Sequence, residues 1–385
     1  MFPHTDETQL PAPQPDALAH SEQLLDRIVA AIDAAGGAIS FAQYLEMALY
    51  EPGFGYYSAG SAKFGAQGDF ITAAELGDFL ARAIVRTLAP GLQSLPDPVV
   101  VEIGAGSGAL CEAMLQQLDA QALSHVRYRI LEPSADLQER QRQRLAAGYP
   151  ERIEWIDTLE PDSVRGAIIA NEVADALPFE RIALGEDGWQ QLAVVREGRT
   201  LHWQPRALPQ SLDAHLQRVL DSLPVPPAPG YRTELRPLLA PWVATIGDAI
   251  SVGDALLIDY GLARHEYFHP QRSDGTMMCH YRHRAHGDPF VWPGLQDITA
   301  WVDFSECAYA AQAAGLAVTG YTTQGSWIAE SVLAGDPLSV DARAAAQLKT
   351  LLLPGEMGER FKVLQLSRNA DQAPVLPGRD MRARL

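Results

Sequence analysis

Over the first ninety positions apolar residues recur at intervals of three and four, the spacing of one face of an α-helix. From Ser21, SEQLLDRIVAAIDAAGG keeps that spacing and stops at Gly36-Gly37, which predicts a helix with a glycine stop. Ser40 stands where an N-cap belongs for a second helix, FAQYLEMALY, closed by Pro52-Gly53. An aromatic, Gly-rich stretch, GFGYYSAGSAKFGAQGDFIT, then leads to a third helix near Ala74–Leu88. Ahead of all this, residues 1–17 hold four prolines and little apolar content, the composition of a disordered tail.

At Pro98 the rhythm changes. VVVEIG (99–104), VRYRILEP (126–133), RIEWID (152–157) and RGAIIANEV (165–173) have strand length, and GSGALCEAMLQQL and ADLQERQRQRL lie between them with helical spacing. Strands alternating with helices predict a parallel sheet covered on both faces. ALLIDYG (255–261) and FKVLQLS (361–367) repeat the strand signature. In the gap, 181–206 alternates between Gly-rich turns as a β-meander does, 211–223 is helical, and PVPPAPG is a stiff linker. Residues 262–297 are polar and His-rich, and DITAWVDFSECAYAAQAAGL reads as a helix ended by Gly315. The expected division is a tail (1–20), a helical unit (21–95), the first part of an α/β core (96–180), a β and helical insertion (181–250), and the rest of the core (251–385) with a His-rich insertion at 262–297.

A chain of 385 residues suits two or three such units. Its 30 basic and 48 acidic residues give a charge of 30 − 48 = −18, which argues against nucleic acid as the main partner, since phosphate neutralisation needs clustered Lys and Arg. Three scattered cysteines (Cys111, Cys279, Cys307) make no disulfide framework. No apolar run reaches the roughly 18 residues of a membrane span. The N-terminal segment carries Asp6, Glu7 and Asp16 and no Arg before Arg27, unlike a signal or transit peptide, so the expected location is the cytoplasm.

The strongest local motif is VVVEIGAGSGAL, with Gly104, Gly106 and Gly108 between a strand and a helix. Glycines there let the backbone approach a ligand, and free N–H groups at the helix start favour polar or anionic groups. With Ala109 the stretch also fits a dinucleotide fingerprint, and a Gly-rich turn without a ligand is the plain alternative. Glu102, on the strand itself, would repel a pyrophosphate but suits the cationic amino and sulfonium groups of S-adenosylmethionine. Glu132, ending the second strand, is placed to accept ribose hydroxyls, or else to cap the helix from Ser134. Asp157, ending the third strand, is a candidate for the adenine side. After the fourth strand, Asn171, Glu172 and Asp175 stand where open α/β sheets bind ligands, with local capping as the simpler role for the first two. In GDFITAAE, Asp69 and Thr72 belong to a loop long enough to fold over the sheet, though Thr72 with Glu75 also makes a capping box. His265, His269, His280, His283 and His286 match no zinc spacing, so no metal is expected. Neither G-x-S-x-G nor a P-loop lysine motif occurs.

In this order, GFGYY, GDFIT, VVVEIGAGSGAL, ILEPS, IIANEVADALPFE, LLIDYG, EYFHPQRSDGTMMCHYRH and GLQDITAWVDF resemble the MidA family of class I S-adenosylmethionine-dependent methyltransferases, whose mitochondrial members assist assembly of respiratory complex I. The resemblance runs from about Ser40 to Gln324. It implies a Rossmann-like seven-stranded α/β core with insertions, S-adenosyl-L-methionine as cofactor, and methylation of a protein arginine. It also implies that Glu102, Gly104, Gly106 and Gly108 hold the methionine portion, Glu132 the ribose, and that Gly68, Asp69 and Thr72 close over the cofactor. Asn171, Glu172 and Asp175 would face the substrate, with Asp259 nearby. Ala174 and Ala74 depart from the family pattern, which has a larger apolar residue and usually Pro there. The resulting expectation is a methyltransferase acting on a protein substrate, with a respiratory complex subunit as a candidate. A non-catalytic cofactor-binding assembly factor and an NAD(P)-dependent oxidoreductase are the alternatives.

Overall fold

The computed structural model describes residues 10–58, 73–145, 148–333, 341–368 and 374–385, and divides into two compact units. One consists of Ile71–Asp175, Leu239–Ala263 and Val302–Leu385. Its centre is a sheet in which four parallel strands follow one another in sequence: β1 (Val99–Ile103), β2 (Arg127–Leu131), β3 (Ile153–Ile156) and β4 (Val164–Asn171). Across the sheet the order is Ala317–Thr323, Phe361–Arg368, Ile250–Leu262, β4, β1, β2, β3, so seven strands form the main path. Phe361–Arg368 runs antiparallel to both neighbours, and the two-residue strand Val302–Asp303 pairs with the end of Ile250–Leu262. All five residues of β1 are buried, Glu102 among them, which explains the apolar run Val99–Val101: a central parallel strand has helices over both faces.

One such covering layer is formed by the helices Phe79–Gln93 and Ala109–Ala120, whose Leu80, Ile84, Leu88, Met114 and Leu118 join Val100, Ile169 and Leu256 in one core. Each fully buried side chain of this kind contributes roughly 1.5–3 kcal/mol. Helix Ala135–Leu145 buries only Leu137, Gln141 and Leu145, a narrow stripe at i, i+4, i+8 with a polar residue in its middle.

The other unit, Met1–Phe70, Ala176–Leu238 and Arg264–Trp301, joins helices Pro15–Ala34 and Phe41–Tyr50 to two antiparallel sheets. The meander Glu180–Gly185, Gly188–Glu197 and Thr200–Ala207 pairs with Arg232–Leu235, and Met278–Tyr281 lies between Arg284–His286 and Asp297–Thr299. Ser40 caps its helix reciprocally with Gln43.

Four expectations need correction. Residues 15–20 are not tail, because Pro15 opens the first helix at N1, where its missing N–H is harmless. Thr72 lies outside the described residues, and the third helix starts only at Phe79: Ala73–Glu75 is a 3₁₀ turn, and Gly77 breaks the path at φ +82°. Of DITAWVDFSECAYAAQAAGL only Phe304–Ala313 is helical, capped by the Asp303 carboxylate; the β-branched residues before it form the strands Asp297–Thr299 and Val302–Asp303. The strand Ala317–Thr323 was not foreseen, since AVTGYTT offers no apolar run.

All three cysteines are buried. Among the described residues no group of His, Cys, Asp and Glu could hold a metal, and no helix is long and apolar enough to cross a membrane. Burial, with the nearby His286, pushes His280 down to about 4.

Candidate functional site

The strand registers align the candidate residues. Ile103 pairs with both Leu131 and Ala170, Leu131 pairs with Ile156, and Ala170 pairs with Leu257. The next residues along these strands, Gly104, Glu132, Asp157 and Asn171, therefore form a single row at the carboxyl ends, with Asp259 one position beyond. β1 and β4 are neighbours although β2 and β3 intervene in sequence, which makes this row the topological switch point of the sheet, where open α/β folds bind ligands.

After β1 the backbone turns through Gly104, Gly106 and Gly108 at φ +66°, +52° and +79°, conformations that disfavour any side chain with a Cβ. A Cβ on Gly104 would meet Val173 Cγ2 at 3.0 Å. Gly108 is the N-cap of Ala109–Ala120 and supplies no side-chain acceptor for the first N–H groups of the helix, an arrangement that suits a polar or anionic ligand. The hydroxyl of Ser107 in this loop donates to Glu75 Oε1, and Arg144 Nη1 donates to Ser107 Oγ at 3.3 Å.

Glu102 is 2% exposed and accepts a 2.6 Å hydrogen bond from the Tyr128 hydroxyl. Burial pushes its carboxyl up to about 7, against the tyrosine's lowering effect and with the charge of Glu132 adding to it. Glu132 is also buried. Its Oε1 accepts from Ser134 N at 3.1 Å and its Oε2 from Gln141 Nε2 at 3.1 Å. Burial raises this carboxyl too, opposed by Ser134 N–H, the Gln141 amide and the Gly106 backbone. Glu132 thus holds the start of helix Ala135–Leu145, the simpler of its two expected roles, and it stands beside the glycine loop. Asp157 shares the row but is exposed.

After β4, Asn171 Nδ2 donates to Glu172 Oε1 at 3.3 Å, and the same oxygen accepts from Ala73 N at 3.2 Å. Glu172 sits at φ +55°, strained for a residue with a side chain. Buried Asp175 donates its N–H to Asp259 Oδ2 at 3.1 Å, and the Tyr260 hydroxyl donates to Asp175 Oδ2. Asn171 Oδ1 is a buried acceptor with no hydrogen-bond partner among the described residues.

The sheet therefore brings Glu102, the three glycines, Glu132, Asp157, Asn171, Glu172 and Asp175 to one edge, while Gly68, Asp69 and Thr72 lie outside the described residues. Sequence reasoning missed Gln141, Ser107 with Glu75, and Tyr260. For Gln141 a signal existed, a polar residue in the centre of a helix's apolar stripe. The donor set fits a nucleoside carrying an amino-acid tail: a glycine cradle that a Cβ would spoil, a carboxylate at the end of β2, a buried carboxyl beside the loop, and an open amide acceptor.

A mostly parallel sheet with this strand order and a glycine loop after β1 defines a class I methyltransferase core. The comparisons agree: a sequence profile described as "Putative S-adenosyl-L-methionine-dependent methyltransferase" matches residues 79–322. A crystal structure from Burkholderia thailandensis, described as a "likely methyl transferase" bound to S-adenosyl-homocysteine, is similar at TM-score 0.89 and 38% identity over 95% of this chain and 97% of that one. The mitochondrial protein arginine methyltransferase NDUFAF7 of Danio rerio is 27% identical over 87% of this chain and 85% of its own, and the Drosophila melanogaster homolog 25% identical over 97% and 93%. The chain belongs to the MidA-like family of S-adenosylmethionine-dependent methyltransferases, with S-adenosyl-L-methionine as its cofactor.

Proposed function

We propose that the acceptor is an arginine side chain of a protein. The observation that carries this reading is the acidic turn after β4 beside the glycine loop, which holds Glu172 and, three residues on, Asp175, tied to Asp259 and to the hydroxyl of Tyr260. A guanidinium is charged at all physiological pH and is a poor nucleophile, so a protein that methylates it needs carboxylates to orient it. The arginine methyltransferase names of the two mitochondrial relatives support the same acceptor.

In this reading Glu102, Gly104, Gly106 and Gly108 hold the methionine portion of the cofactor, Glu132 the ribose, and Asp157 and Asn171 the neighbouring polar edges. The bound cofactor supplies a methyl group on a cationic sulfur, which an in-line displacement moves to nitrogen. Glu172 and Asp175 clamp the guanidinium through two of its nitrogens and draw its positive charge toward them, away from the attacking nitrogen. As the new N–C bond forms and the old C–S bond breaks, the proton lost by the methylated nitrogen passes to one of these carboxylates and on to water. Tyr260 and the Asp175 N–H bond to Asp259 fix the clamp. A charge of −18 suits a basic protein partner, and three buried thiols suit the reducing cytoplasm.

The test is incubation of the purified protein with labelled S-adenosylmethionine and cell extracts, followed by mass spectrometry of labelled peptides. Label on an arginine ω-nitrogen supports the reading; label confined to lysine, glutamine or a small molecule removes it.

A further inference from the structure

Gln141 is a polar side chain on the buried stripe of helix Ala135–Leu145, between Leu137 and Leu145, and is 0% exposed. A primary amide there needs partners for its oxygen and for both N–H groups. It finds them in the loop after β1, just past the end of β2, and on β3. Nε2 donates to Gly106 O at 3.0 Å and to Glu132 Oε2 at 3.1 Å, and Oε1 accepts from Trp155 Nε1 at 2.9 Å. The orientation of the amide follows from chemistry. An indole N–H only donates, a carbonyl only accepts, and an ionised carboxylate only accepts, so a flipped amide would face Trp155 with a donor and Gly106 and Glu132 with an acceptor.

We propose that Gln141 is a positioning residue for cofactor recognition: it locks the Glu132 carboxylate to the glycine loop so that its remaining lone pair is held ready for a ribose hydroxyl. The inference rests on the ribose role proposed for Glu132. Each carboxylate oxygen has two lone-pair directions, and Ser134 N–H, Gln141 Nε2 and the Gly106 backbone N–H take three of the four. The one that remains is open to a ribose hydroxyl. Without Gln141 the carboxylate can swing away from this pose, and ordering it again on binding weakens that hydroxyl contact in particular. Trp155 holds the amide in the productive sense from the far side, so the three strand ends share one polar network.

The experiment is calorimetric titration of wild type, Gln141→Met, Trp155→Phe and Glu132→Gln with S-adenosylhomocysteine and with its 2′-deoxy analogue, folding being checked by circular dichroism. Methionine preserves volume but offers no donor. The expected result is that wild type prefers the ribose form by about tenfold or more, that Gln141→Met reduces this preference to within threefold, and that Trp155→Phe falls between them. A Gln141→Met protein, or a Trp155→Phe protein should the first not fold, that loses affinity for both ligands equally while keeping the preference overturns the positioning role. Loss of the preference in Gln141→Met while Glu132→Gln retains it also overturns it. If wild type binds both ligands equally, the ribose role of Glu132 itself fails, which separates the two claims.

Discussion

The loops that follow β1 and β4 lie side by side at the carboxyl edge of the sheet, and both enter the left-handed region of backbone space. After β1 three glycines do so, at little steric cost. After β4 a glutamate does so, at a cost on the order of 1 kcal/mol or more. The first loop brings bare backbone to the strand ends. The second keeps a strained conformation in a residue whose side chain accepts from Asn171 and Ala73, so there it is a carboxylate that is held at a fixed point in space.

The largest expected effect is on the first loop. In Gly106→Val a β-branched side chain must adopt φ +52° and fill ligand space. Affinity for S-adenosylhomocysteine should fall at least ~100-fold, about 2.7 kcal/mol, in a protein that still unfolds cooperatively. Unchanged affinity in calorimetry would detach the glycine loop from the cofactor. The second loop should respond in the opposite way. The Glu172→Gln, Asp175→Asn double variant should bind S-adenosylhomocysteine within about threefold of wild type and lose methyl transfer by ~100-fold or more, because the clamp acts mainly in the transition state. Wild-type turnover in this variant would sink the clamp.

A smaller effect separates the loops by pH. The buried Glu102 carboxyl sits at about 7 in the folded protein, above its value of about 4.5 when unfolded. A raised carboxyl means that the native state favours the protonated form, so this contribution to stability is complete below the unfolded value and is lost as pH rises through about 7. Between pH 5.5 and 8 wild type should lose about 2 kcal/mol relative to Glu102→Gln, measured by urea unfolding at several pH values. Parallel profiles for the two proteins would mean that Glu102 is ionised throughout. The smallest effect concerns strain. Glu172→Gly and Glu172→Ala both lose the carboxylate, but only alanine must hold a Cβ at φ +55°, so the glycine variant should be the more stable by about 1 kcal/mol in chemical denaturation.

Much of the row of strand ends at the candidate site was legible in sequence because it is built from short-range signals. Apolar strand runs ended in Gly104, Glu132, Asp157 and Asn171, and the sheet registers aligned those ends into a row. The Ser40–Gln43 capping box was legible for the same reason: its partners are three residues apart. What escaped depends on distant partners. Gln141 stands out in ADLQERQRQRL only by its place between Leu137 and Leu145, and Gly106, which accepts its amide, is 35 positions away. Tyr260 is 85 positions from Asp175, and Glu75 is 32 from Ser107. The break before Phe79 was missed because ITAAELGDFLARAI has good helical spacing throughout. Only the positive φ of Gly77 shows that the chain stops and restarts.

Strand Phe361–Arg368 lies between Ile250–Leu262 and Ala317–Thr323, both of which precede it in sequence. During synthesis it leaves the ribosome after the strands on either side of it. Until then one long side of Ile250–Leu262 carries unsatisfied N–H and C=O groups, an edge open to pairing with other nascent chains. Domain completion is therefore timed by release of this late strand, while β1 to β4 and the cofactor loop can already be in place. Translation at low temperature or with holdase chaperones should raise the yield of folded enzyme, and a stop codon ahead of Phe361 should send the product to inclusion bodies.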